Sequence, residues 1–165
     1  MPVYWFETQE TDITFLFYIL AWSVGLFFLK KTKERILESA LKLFNEEGMV
    51  NVRLQHIADK AYVSIGNMAY HYKNKEAIVL AIHDRLSEEQ RNLTAEMNVV
   101  PLFDYMDRYL RQSYELQQKY SFFFTDMLEV FRAYSAIAEA HNRLINWHKN
   151  QLKVALEFNK NRGAF

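Results

Sequence analysis

Residues 53–75, RLQHIADKAYVSIGNMAYHYKNK, constrain the fold more than any other stretch of this chain. Leu54, Ile57, Ala58 and Ala61 stand at helical spacing and form an apolar stripe that ends in small residues. Small side chains there let a second helix approach closely. Val63 and Ser64 follow, and a Ser in that place caps a new helix by accepting from backbone N–H groups two or three residues on. The new helix turns Asn67, Tyr70 and His71 outward, while Met68 and Tyr72 face the core. A short helix, a turn and a polar second helix make a helix-turn-helix, a unit whose second helix lies in the DNA major groove.

Such a pair needs a floor, and the sequence before it supplies one. Thr32 is expected to cap a helix from Lys33 to about Glu47, with Ile36, Leu37, Ala40, Leu43 and Phe44 at helical spacing. Gly48 ends it as a left-handed residue just past the last turn. Asn74-Lys75-Glu76 opens a longer helix that runs to about Met97, with Ile78, Val79, Ile82, Leu86 and Leu93 inward. Val99-Val100-Pro101 breaks it, because proline restricts its predecessor and lacks an N–H.

Pro101 suits the first position of a further helix. Leu102, Phe103, Tyr105, Met106, Tyr109 and Leu110 form one apolar face; Phe122, Phe123, Phe124, Met127, Leu128 and Phe131 form another. A last helix from about Ser135 carries Ile137, Leu144, Ile145, Trp147, Leu152, Val154 and Leu156. Four glycines and two prolines in 165 residues leave few interior breakers, so the fold class is all-α. The expected division is residues 1–31 as a hydrophobic extension, 32–75 as the helix-turn-helix head, and 76–165 as linker helix and body.

The absence of Cys excludes disulfides, thiolate metal sites and Cys nucleophiles, and suits a reducing compartment. Net charge is zero, so DNA binding has to rest on where the charges stand. Lys30, Lys31, Lys33 and Arg35 cluster before the first head helix, and Lys73 and Lys75 follow the recognition helix. No serine elbow, paired-carboxylate motif or phosphate-cradling glycine loop occurs, which argues against an enzyme. His141 and His148 fall on one helical face, but without HExxH or a nearby carboxylate they read as solvated surface or pocket edge rather than a metal pair. No metal and no cofactor is expected.

The run Ile13–Leu29 carries no charge and, at 17 residues, reaches the short end of what spans a bilayer. The acidic leader and the lack of a small-residue cleavage site argue against a secretory signal. Lys30-Lys31 after it would keep the remainder on the cytoplasmic side. Three readings stand: a membrane tether, an extra buried helix or dimer element, and upstream codons included in the chain.

The head resembles the TetR/AcrR family of bacterial transcriptional regulators. Thr32, Ile36, Leu37, Ala40, Leu43, Phe44, Gly48, Ile57, Ala58, Val63, Ser64, Gly66, Asn67, His71, Tyr72, Lys75 and Glu76 fall in the order and spacing of that family's signature. The resemblance covers residues 32–97 and is loose beyond. It implies a ligand-responsive repressor in the cytoplasm: a homodimer placing two recognition helices on palindromic double-stranded operator DNA, controlled by a small-molecule effector in the helical body. It further implies that Ser64, Asn67, Tyr70 and His71 face DNA, that Lys75 holds a phosphate, and that Thr32 and Arg53 complete the DNA-facing set. Phe103, Tyr109, Phe124, Phe131 and Trp147 are the implied effector-binding residues.

The chain departs from the family pattern at four places. Tyr62 occupies a turn position usually held by Gly, and Ala69 replaces a usual Tyr. Val52 and Arg53 stand where a Thr commonly caps the second helix, leaving Asn51 as the alternative cap. The sequence ends at Phe165, before the two helices that usually complete the family's dimer interface. The competing expectation is therefore a small membrane-associated helical interaction protein, or a truncated regulator that no longer reads DNA.

Overall fold

The computed structural model describes the backbone of residues 10–95 and 102–163 and the side chains of 28–95 and 105–163. Eight helices follow in order: α1 (Glu10–Glu47), α2 (Leu54–Lys60), α3 (Ile65–His71), α4 (Lys75–Thr94), α5 (Leu102–Lys119), α6 (Ser121–Thr125), α7 (Met127–Ala133) and α8 (Ser135–Asn161). No strand occurs among the described residues. The all-α expectation holds.

The first helix corrects the expected boundary at Thr32. That residue is not a cap but an interior position of α1, half-buried, because no breaker separates the apolar run from the head helix. Among the described residues no helix is long and apolar enough to cross a membrane. Most side chains of Ile13–Leu29, on which the tether expectation falls, lie outside those residues; Phe28 and Leu29, at its end, are exposed. The linker helix ends at Thr94, short of the expected Met97, and the break at Val99-Val100-Pro101 lies outside the described residues.

Helix α1 stops where the sequence predicts. Gly48 has φ 80 and returns its N–H to Phe44 O at 3.0 Å. Asn51, expected as a substitute N-cap for α2, instead serves the end of α1, its Nδ2 donating to Glu47 O at 2.7 Å. Helix α2 consequently starts at Arg53 with no side-chain cap. Ile36, Ala40 and Phe44 of α1 are fully buried in one cluster with Ile57, Ala58 and Ala61, and the small Ala58 and Ala61 side chains allow the close approach. Burial of each large aliphatic side chain contributes roughly 1.5–3 kcal/mol.

One apolar core runs through head and body. It includes Ile78, Val79, Ile82 and Leu86 of α4 together with Phe122, Phe123, Val130 and Ile137. The rings of Phe44 and Phe122 lie 5.1 Å apart, tying α1 to α6. Polar contacts reinforce the joint: Arg85 of α4 reaches Glu34 and Glu38 of α1 at 3.4 and 3.7 Å, and Glu89 at 3.4 Å. Burial opposes the charge on Glu89, but hydrogen bonds from Lys119 and Tyr120, with the charges of Lys119 and Arg85, outweigh it and hold its carboxyl below the usual range.

Several expected core positions of the body are instead on the surface. Met106, Leu110, Leu128, Ile145, Leu152, Val154 and Leu156 are all exposed. Neither α5 nor the distal half of α8 is covered on its outer side; towards the end of α8 only Ala155 and Asn159 are buried.

Candidate functional site

The outward face of α3 is built from its cap upward. Ser64, in extended conformation, accepts from Asn67 N at 3.1 Å, satisfying one of the donors a helix start leaves open. Met68 and Tyr72 point into the core, so the pitch of the helix turns Ile65, Gly66, Asn67, Ala69 and Tyr70 to solvent. The side-chain amide of Asn67 has no protein partner among the described residues. The Tyr70 ring is 75% exposed and touches only His71, edge-on at 5.3 Å between centroids. His71 is half-buried rather than outward, and its Nε2 is shielded without a hydrogen-bond partner.

The turn before α3 carries Tyr62 at φ 53, the non-glycine residue with positive φ among the described residues. Its ring is 89% exposed, so no packing compensates the conformation. A non-glycine left-handed residue costs about 1–2 kcal/mol.

Cations flank this face unequally. Arg53, Lys31, Arg35 and Lys73 are exposed. Lys33 is exposed too, with its ammonium over the Tyr72 ring at 5.5 Å. Lys75 turns inward: its Nζ donates to Met49 O and lies 5.8 Å from the Phe44 ring centroid, and burial pushes its ammonium below the ordinary lysine range. Thr32 sits behind this set, half-buried within α1.

A second feature lies in the body. A cleft of about 410 Å³ opens between α4, α5, the α6–α7 segment and α8. Tyr109 and Phe124 line it as expected; Phe131 and Trp147 do not. Phe131 is instead half-buried against Phe123 and His141, and Trp147 lies beneath the Arg91 guanidinium at 5.7 Å. The Phe103 side chain lies outside the described residues. His141 and His148 do sit at the cleft, in keeping with a pocket edge, joined by Gln90, Ser113 and Gln117. No group of three or more metal-ligating side chains occurs among the described residues.

His83 was missed at the sequence level. It is buried behind the cleft, with its ring 5.7 Å from His141 and 5.3 Å from Phe123. Its position between Val79 and Leu86 on the apolar stripe of α4 was the available signal. Burial, then the neighbouring His141, Arg143 and Arg91, pushes its imidazole down to about 4. Burial also lowers His141 and His148, while the carbonyls of Leu144 and Gln90 favour the charged form of His148 without prevailing.

Comparison with known proteins bears on the head first. Residues 36–82 match the family model of bacterial regulatory proteins, tetR family. An uncharacterized HTH-type transcriptional regulator in the dhlA 5′ region of Xanthobacter autotrophicus is 28% identical over 130 residues, 75% of this chain and 63% of that protein. The chain thus spans less than two thirds of that relative's length. A transcriptional regulator (TerR/AcrR family) from Aquifex aeolicus VF5 superposes with TM-score 0.64 at 25% identity, covering 76% of this chain and 71% of its own. A TetR-family regulator from Marinobacter aquaeolei VT8 shares the fold, with TM-score 0.67 at 24% identity over 79% of this chain and 65% of that one.

Proposed function

Because this chain belongs to the tetR family of bacterial regulatory proteins through its residues 36–82, a family of regulators and not of enzymes, we propose that it is a sequence-specific DNA-binding transcriptional regulator of the ligand-responsive repressor type. Residues 32–75 form the DNA-binding unit, and 76–165 the linker helix and regulatory body. The observation that carries the reading is the outward face of α3, where Asn67 and Tyr70 stand exposed above a helix fixed from behind by Met68.

In the major groove, the Asn67 amide can pair with an adenine edge, which offers one donor and one acceptor. The hydroxyls of Ser64 and Tyr70 and the solvent side of His71 supply contacts to phosphate, and exposed Arg53 and Lys73 supply charge. Lys75 takes part once its ammonium exchanges the Met49 carbonyl for a phosphate. The exposed apolar residues of α8 are the surface on which a second copy would seat, giving the two-fold pair that a palindromic operator needs.

Control by a small effector is supported by the position of α6. Phe124 lines the cleft, while its neighbour Phe122 packs on Phe44 of α1. An occupant that displaces Phe124 therefore shifts a segment bonded to the head, and the differential fit of the two arrangements sets the coupling. Selection of bound duplexes from a random pool tests the reading. Enrichment of one palindrome by the natural chain, relaxed at one position by Asn67→Ala, is the expected result; a pool without enrichment refutes it.

A further inference from the structure

Given the ligand-responsive reading, on which this step rests, the chemistry of the cleft narrows what it can take. None of its 11 lining residues carries a carboxylate, so an organic cation has no counter-charge there. Gln90, Tyr109, Ser113 and Gln117 are neutral hydrogen-bonding groups. The nearby fixed charges are positive: Arg91 and Arg143 both act on the buried His83, and Arg91 acts on His148.

His141 lines the cleft, yet its Nδ1 is shielded from solvent without a hydrogen-bond partner. Leaving such a group unpaired costs about 1–3 kcal/mol, which a bound partner can recover. Packed around His141 are His83 of α4, Phe123 of α6 and Phe131 of α7, and His148 of its own helix acts on it electrostatically. Among these, and among the described residues lining the cleft, nothing is negatively charged. Leu93, Leu116, Phe124, Met127 and Ile145 give the same cleft an apolar lining.

We propose that the effector is a small amphipathic organic acid whose carboxylate is received by His141 and whose apolar body lies on Phe124, Met127 and Ile145, while His148, bonded through Nδ1 to the Leu144 carbonyl, edges the site. In the empty cleft burial keeps both imidazoles in their neutral form near neutral pH. On binding, an imidazole nitrogen takes one proton from solvent and the imidazolium N–H donates to the carboxylate oxygen. Affinity for the acid therefore rises as pH falls, by up to about tenfold per pH unit while one proton is taken up. His83 does not contribute in that range, since its imidazole titrates only near about 4.

Calorimetric titration of the full chain with phenylbutyrate, and with its uncharged amide, at about pH 6 and about pH 8 tests this against the proton-linkage rule. The expected result is tighter binding of the acid at the lower pH and weak, pH-independent binding of the amide. His141→Gln should still bind the acid, more weakly and with a flatter pH profile. Equal affinities for acid and amide at both pH values, or no binding of either, would overturn the proposal. Addition of the acid to the DNA complex separates the two levels. Proton-linked binding that leaves DNA affinity unchanged would uphold the acid site and refute ligand control.

Discussion

Asn45 holds Phe122 in place from across the head–body joint: its Oδ1 accepts from Phe122 N at 3.0 Å, while its Nδ2 donates to Lys119 O at 2.9 Å. One side chain of α1 thereby satisfies both the last turn of α5 and the first turn of α6. A second bond, from Met49 N to Asp126 Oδ2 at 3.0 Å, fixes the other end of the same segment. Segment α6 is thus pinned at both ends, to the last turn of α1 and to the turn that follows it.

Asn45→Ala removes both bonds, leaving a partly buried N–H and C=O to find water. The expected loss is about 1–3 kcal/mol. Asn45→Asp keeps the acceptor for Phe122 N and should fall between the two. Urea midpoints at unchanged slope measure this; a neutral Asn45→Ala would show that the joint does not depend on the amide.

Tyr62 sits at φ 53 with an 89% exposed ring, so its replacement loses no packing. Asn tolerates the left-handed region, and Tyr62→Asn should raise stability by up to about 1 kcal/mol. Tyr62→Gly should gain less, because glycine's extra freedom in the unfolded chain offsets roughly 0.4–1 kcal/mol. A less stable Tyr62→Asn variant would mean that the ring contributes to the fold despite its exposure.

The buried His83 predicts an acid-sensitive fold. Its imidazole is held at about 4 against 6.5 in the open chain, so the unfolded state binds the extra proton between those values. Stability from this group is present above pH 6.5 and declines as pH falls toward 4, an effect of at most about 3 kcal/mol. His83→Leu should flatten that part of the stability profile, followed by denaturant unfolding at a series of pH values. An unchanged slope would place the sensitivity elsewhere.

Ser64→Ala loses the single side-chain cap of α3 and should cost about 1 kcal/mol of stability, with Ser64→Thr recovering most of it. Thermal melting of the three proteins reads this directly. A further loss of DNA affinity in Ser64→Ala, beyond what the melting shift explains, would mark a phosphate contact as well as a cap.

The head was legible in the sequence because local rules and burial agree there. Gly48, Ser64 and Asn74 act as stop and cap signals in the places expected, and Ile57, Ala58, Met68 and Tyr72 bury as their spacing requires. Thr32 misled because a cap signal decides nothing when the residues before it can also be helical. The body was less legible. An apolar residue on α5 or α8 announces a stripe, but not whether a neighbour covers it, and Leu110 and Leu152 prove exposed. Among the aromatics, Phe124 and Phe131 have the same chemistry and both pack against the core; only tertiary packing brings Phe124, and not Phe131, to the cleft. Polar residues that act at a distance in sequence, such as Asn45 on Phe122, carry no local signal at all.

The proposed regulator depends above all on the exposed face of α3 reading DNA sequence. Fluorescence anisotropy of the purified chain on duplex from upstream of its own gene, beside a scrambled duplex and through a salt titration, tests it most directly. Sequence reading by α3 predicts a preference for the native duplex of about a hundredfold or more, with Asn67→Ala losing most of that preference. Equal, weak and steeply salt-dependent binding to both duplexes would contradict it, since phosphate charge alone produces that pattern.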